Sequence, residues 1–152
     1  MANIHWTNTY IGKPHTPTYD CAELCIEVQR EQYHREVALP NRLFYEPGQN
    51  RNGDIQAVIS LFEPVEIPQD GDIALMANGR LLNHVGIYVI LNGREYILHN
   101  LERVGTILQK VRDIHKYTLK IQGYYRIKDD LVELKDELDG TNRTNQESAI
   151  SC

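Results

Sequence analysis

The stretch His84-Val85-Gly86-Ile87-Tyr88-Val89-Ile90-Leu91-Asn92-Gly93-Arg94-Glu95-Tyr96-Ile97-Leu98-His99-Asn100 decides the fold. Two apolar runs flank Asn92-Gly93, and both of those residues tolerate the positive φ that a two-residue type I′ turn demands. The runs therefore predict a β-hairpin, and the short loop sets its register. Leu91 faces Arg94, and the pairs run outward as Val89 with Tyr96, Ile87 with Leu98, Gly86 with His99, Val85 with Asn100 and His84 with Leu101.

Because side chains alternate across a strand, His84, Gly86, Tyr88 and Ile90 share one face, and His99, opposite Gly86, joins them. His84 and His99 become diagonal neighbours with Cβ atoms roughly 7 to 8 Å apart or somewhat less, close enough for one imidazole to hydrogen-bond the other. Gly86 leaves the second ring room. A thiol hydrolase needs such a pair: one ring takes the proton of the nucleophile, and a second polar group fixes the tautomer and orientation of the first. The plainer reading is two polar residues on a solvent-facing side of the hairpin.

Upstream, Pro17 biases its predecessor away from helix, and a helix begins after Thr16-Pro17-Thr18-Tyr19-Asp20. Asp20 is a suitable N-cap, and Glu23 supplies the partner of a capping-box-like arrangement. Cys21, Leu24, Cys25 and Val28 form one apolar stripe, which predicts a helix over Cys21 to Arg35. In its first turn Cys21 meets unpaired backbone amides and the positive end of the helix dipole, which favour a thiolate. Its own amide is placed to serve a developing oxyanion. Cys25, one turn on, reads as a core residue. Zinc held by Cys21, Cys25, His84 and His99 is the competing use of these side chains, although the histidines lack the short helical spacing of a finger. No metal and no cofactor are expected. His5, His15, His34 and His115 show no evident partners and read as solvated.

Pro40 to Asp54 reads as a surface connection and Ile55 to Phe62 as a short helix, with Pro64 and Pro68 breaking the chain before Gly71-Asp72. Strands are expected at Asp72 to Met76, His84 to Leu91, Arg94 to Asn100, Thr106 to Val111 and Thr118 to Ile127. A helix followed by a run of strands is α+β with an antiparallel sheet. Residues 1–128 form the expected domain, and 129–152 a polar extension. In the extension Leu131, Leu134 and Leu138 suit a short helix, with a disordered tail beyond Gly140.

The 152 residues suffice for one domain. With 41% hydrophobic and 24% charged residues the composition is that of an ordinary soluble protein. A formal charge of -5 argues against nucleic acid as a main partner. Met1 to Lys13 holds no apolar run of the kind an export signal or membrane span requires, so neither is expected. The 3 cysteines, Cys21, Cys25 and Cys152, form no spaced disulfide framework, which makes a reduced compartment of synthesis the default.

Five pieces in order carry a family resemblance: Ile11-Gly12-Lys13-Pro14, Asp20-Cys21-Ala22-Glu23-Leu24, Gly71-Asp72-Ile73-Ala74-Leu75-Met76, His84-Val85-Gly86-Ile87-Tyr88 and Ile97-Leu98-His99. Together they resemble the NlpC-type cell-wall cysteine peptidases, papain-like enzymes with a helix-borne cysteine packed on a small antiparallel sheet. Gly123-Tyr124-Tyr125-Arg126 is similar to the closing strand of the branch found in tailed-phage tail proteins. The resemblance implies that Cys21 attacks, His84 is the base and His99 orients His84. It also implies an amide bond in peptidoglycan stem peptides as substrate, and phage tail proteins as partners. Asp20 stands before the nucleophile as in the family, and Tyr10 and Tyr19 are both candidates for its substrate-contacting tyrosine.

Two features depart from the family pattern. Ala22-Glu23 replaces the usual Ser-Gly or Trp-Gly, which brings a carboxylate near the site, and His15 to Tyr19 replaces the glycine pair and aromatic residue upstream. The expected setting is synthesis in the cytoplasm and action in a virion tail or at the cell wall after delivery by another system. Two further hypotheses stand beside the peptidase: a structural tail-assembly protein with the same fold, and a thiol deamidase or acyl hydrolase with another substrate.

Overall fold

The computed structural model describes residues 4–35 and 62–127. Over these residues the chain is α+β, with one α-helix and a six-stranded antiparallel sheet. Helix α1 spans Cys21–Tyr33; the strands are β1 Phe62–Val65, β2 Ile73–Asn78, β3 Leu81–Leu91, β4 Arg94–Leu101, β5 Gly105–Lys110 and β6 Leu119–Ile127. Their order in the sheet is β1-β6-β2-β3-β4-β5. The connection expected over 40–54 and the helix and tail expected beyond 129 lie outside the described residues. The short helix expected near 55–62 does too, except for Phe62, which opens β1.

The hairpin forms in the expected register as far as Ile87 opposite Leu98. Asn92 and Gly93 take φ of 53° and 75°, so the turn is of the left-handed kind that offsets strand twist. The β3–β4 ladder ends at that pair, short of the histidines. Gly86 nevertheless still abuts His99: a Cβ built there would stand 3.1 Å from His99 Cβ and 2.6 Å from Ile97 Cγ2.

Asp20 caps α1 by accepting hydrogen bonds from the amides of Ala22 and Glu23, both at 3.0 Å. The helix stops short of the expected Arg35 because His34 turns left-handed at φ 57°. Cys21, Leu24, Cys25 and Val28 enter one core cluster with Ile73, Leu75, Val85, Ile87, Val89 and Leu98. A second cluster, built on Ala74, Met76, Tyr88 and Ile97, is closed by Ile114 and Leu119. Ile114 belongs to a 3-10 stretch, Val111–Tyr117, that the sequence pattern did not announce.

One corner ties helix to sheet. The buried Gln29 donates its Nε2 hydrogen to the Gly71 carbonyl at 2.8 Å. Asp72, also buried, accepts a fork from Arg126, Nε to Oδ1 at 2.9 Å and Nη2 to Oδ2 at 2.8 Å. This pair explains why Gly71-Asp72 and Gly123 to Arg126, far apart in sequence, both stood out.

The expectation that Pro64 breaks the chain needs correction, since Pro64 lies within β1, paired with Tyr125. β1 is an outer strand, and an edge position tolerates a residue without an N-H. On the other edge, Gly12 donates to Thr106 O at 2.9 Å and Thr106 donates to Lys13 O at 2.8 Å, so the N-terminal segment straps β5. No helix of the described residues is long and apolar enough to cross a membrane.

Two glycine substitutions separate turn strain from packing. Nothing lies within 4 Å of a Cβ at Gly93, so Gly93→Ala should cost only about 1 kcal/mol, the penalty of a left-handed non-glycine residue. Gly86→Ala should cost roughly 1 to 3 kcal/mol through overpacking and should move the His99 resonances. Urea melts and imidazole NMR spectra of both variants check this, and equal behaviour would contradict it.

Candidate active site

His84 and His99 form the centre of the site. His84 Nε2 and His99 Nδ1 lie 2.9 Å apart, with the rings edge to face at a centroid separation of 5.1 Å. Both are buried, at 4% and 0% exposure, which excludes the solvent-facing reading of the hairpin. Behind them His99 Nε2 lies 3.0 Å from Gln109 Oε1, and Gln109 Nε2 donates to the Asp113 carbonyl at 2.8 Å. Gln109 pairs with Ile97 across β4 and β5, which puts its side chain on the face of His99. That relation was open to a sequence reading only once β5 had been registered against β4.

Burial disfavours an imidazolium, and both rings follow that rule. His99 is lowered from 6.5 to about 4, chiefly by burial, while its hydrogen bond to Gln109 works in the other direction. His84 is also lowered well below the usual histidine value, by burial first and then by the neighbouring charges of His99 and His15. His15, read from sequence as solvated, is a correction: its Nδ1 lies 2.7 Å from Asn100 Oδ1. Asn100 is fully buried and donates to Thr106 Oγ1 at 3.0 Å. The segment 13–15 is thereby held against the end of β4. His5 likewise has a partner, with Nδ1 3.0 Å from Thr7 Oγ1, and so does His115, whose Nδ1 lies 3.1 Å from Arg112 O.

Cys21 opens α1, and the helix packs on β3 and β4, the strands that carry the histidines. Its side chain lies in the cluster with Val85 and Leu98, the sequence neighbours of His84 and His99. By strand alternation His84 shares the face of its cross-strand partner Met76, which belongs to the other cluster. The hydrogen bonds of the ring pair run to each other and to Gln109. Cys25 is a free, buried thiol whose pKa is raised, first by burial and then by the Asp20 charge, in keeping with a core residue. Among the described residues no three His, Cys, Asp or Glu side chains gather as metal ligands would.

The remaining site expectations separate. Asp20 is fully buried and its Oδ1 serves the helix cap. Tyr10 is fully buried as well, donating to Glu31 Oε1 at 2.6 Å and accepting from Gln32 Nε2 at 3.1 Å. Burial, with Glu31, pushes its phenol up to about 12. Tyr10 is thus a packing residue and has no surface to offer a substrate, which corrects its candidacy. Tyr19 is half-buried and donates to Glu27 Oε1 at 2.9 Å, and Lys13 Nζ, bound to the same carboxylate at 2.8 Å, lies over both tyrosine rings.

No family model matches the chain, and no curated protein matches it by sequence.

The two lowered histidines set a pH dependence of stability. An unfolded histidine binds a proton near pH 6.5, whereas buried His99 does so only near 4. The His99 contribution is complete above about pH 6.5 and is lost as pH falls towards about 4, by at most about 1.4 kcal/mol per pH unit, and that of His84 is lost in the same direction. Urea melts across this window should show stability falling with acid, and His99→Gln should flatten the slope by about one ring's share. An unchanged slope in the variant would refute the neutral, buried assignment.

Proposed function

We propose that the protein is a papain-like, NlpC-type thiol hydrolase that cleaves an amide bond in peptidoglycan stem peptides. The observation that carries this reading is the buried His84–His99 hydrogen bond of 2.9 Å, on a hairpin against which packs the helix that begins with Cys21. A buried pair of imidazoles serves poorly as surface polarity and well as a base with its orienting partner.

In this reading His84 accepts the Cys21 proton, and the thiolate attacks the amide carbonyl carbon. The oxyanion is met by the Cys21 amide, which is not one of the two amides that the Asp20 side chain takes. Imidazolium His84 then gives its proton to the leaving amine as the carbon–nitrogen bond breaks, leaving a thioester. Water, deprotonated by His84, attacks that thioester; the acid product leaves and the thiol is restored. The step requires Cys21 Sγ to come within reach of His84 where the β3–β4 ladder ends.

The tail-protein likeness of Gly123 to Arg126 favours delivery on a phage tail or phage-derived particle. The seating of Cys21 in the cluster of Val85 and Leu98, away from the face that His84 shares with Met76, favours a second reading, a structural tail-assembly protein that keeps the fold and uses it only for binding.

Incubation with Gram-negative and Gram-positive sacculi separates the two. The wild type should release new amine termini, detected by mass spectrometry. Cys21→Ala should be inactive, His84→Ala should lose about 10² to 10⁴ in rate, and Cys25→Ala should retain activity. A wild type that releases nothing from either wall would remove the peptidase reading in favour of the structural one.

A further inference from the structure

The hydrogen-bond chain behind the two rings has a fixed direction, because it ends on a backbone carbonyl. The Asp113 carbonyl can only accept, so the Gln109 atom 2.8 Å from it is the amide nitrogen, and the Gln109 oxygen faces His99. An amide oxygen also only accepts, so His99 Nε2 carries a hydrogen. In a neutral ring the other nitrogen is then bare. His99 Nδ1 accepts, and the hydrogen in the 2.9 Å contact belongs to His84 Nε2. The lone pair of His84 is left on Nδ1.

We infer that Gln109 is a positioning residue which, anchored on the Asp113 carbonyl, fixes the tautomers of His99 and His84 in series and makes Nδ1 of His84 the proton-accepting nitrogen. Burial that keeps both rings neutral is consistent with this, since an imidazolium would carry hydrogens on both nitrogens and erase the direction. The anchor also gives the 3-10 stretch Val111–Tyr117 a purpose: it presents the Asp113 carbonyl to the sheet. The tautomer assignment stands on the hydrogen bonds alone, whereas its value for catalysis rests on the thiol-hydrolase reading above.

Long-range proton–nitrogen correlation spectra of protein carrying ¹⁵N-histidine, near neutral pH, provide the test. Wild type should show both His84 and His99 as single Nε2-H tautomers, assigned by loss of signals in His84→Gln and His99→Gln. A Nδ1-H tautomer at either ring overturns the inference, whether or not any variant folds. Gln109→Met, which removes the acceptor, should turn both rings into tautomer mixtures; unchanged spectra would also overturn it. If sacculi are cleaved, Gln109→Met should lose about 10- to 100-fold in kcat with little change in KM, the usual scale for groups that orient a ligand or base. Expected spectra without cleavage would leave the tautomer assignment standing and remove the hydrolase reading.

Discussion

The two-residue turn at Asn92-Gly93 is the constraint on which the rest depends. A one-residue change in its length would move every side chain of β4 to the other face of the sheet. His99 would then leave His84, and Leu98 would leave the core cluster in which it meets the helix residues. Gly86 is the second half of the same constraint, because any larger residue would stand where Ile97 and His99 now sit. The turn brings the rings to one face, and the missing side chain lets them touch.

The electrostatics at the helix start are less favourable to a thiolate than the capping pattern alone suggests. An N-terminal cysteine gains from free amides and the dipole, yet Asp20 takes the amides of Ala22 and Glu23 and is itself a buried carboxylate next to Cys21. Glu23 feels the same charge: its pKa is raised, by burial first and by Asp20 next. Burial lowers the pKa of both His84 and His99, so neither is disposed to stand as an imidazolium that offsets that charge.

Much of the sheet was legible because period-2 runs and one unambiguous turn carry local information. Each of the strands expected at Asp72, His84, Arg94, Thr106 and Thr118 starts within a few residues of an observed one. β1 was hidden because Pro64 argues against a strand unless its place at the sheet edge is known. His15 and Gln109 were hidden for another reason: their partners, Asn100 and His99, are reached through pairing of β4 with β5 and through packing of segment 13–15, neither of which leaves a periodic trace. The seating of Cys21 relative to the rings belongs to the same class, since helix-on-sheet packing is written in the summed shape of two apolar faces and not in any motif. Tyr10 shows the opposite failure, a residue type that fits a role while its burial forbids it.

The two outer strands bear on how copies of this protein behave when crowded. An open sheet offers its unpaired backbone groups to any neighbouring chain, and association grows with concentration. Here β1 carries a proline without a donor, and β5 is already occupied by the strap from Gly12 and Lys13. Among the described residues, both flanks thus offer a neighbouring strand fewer free backbone partners than a bare edge would. That is a property of the sheet's margins, independent of any chemistry at the histidines.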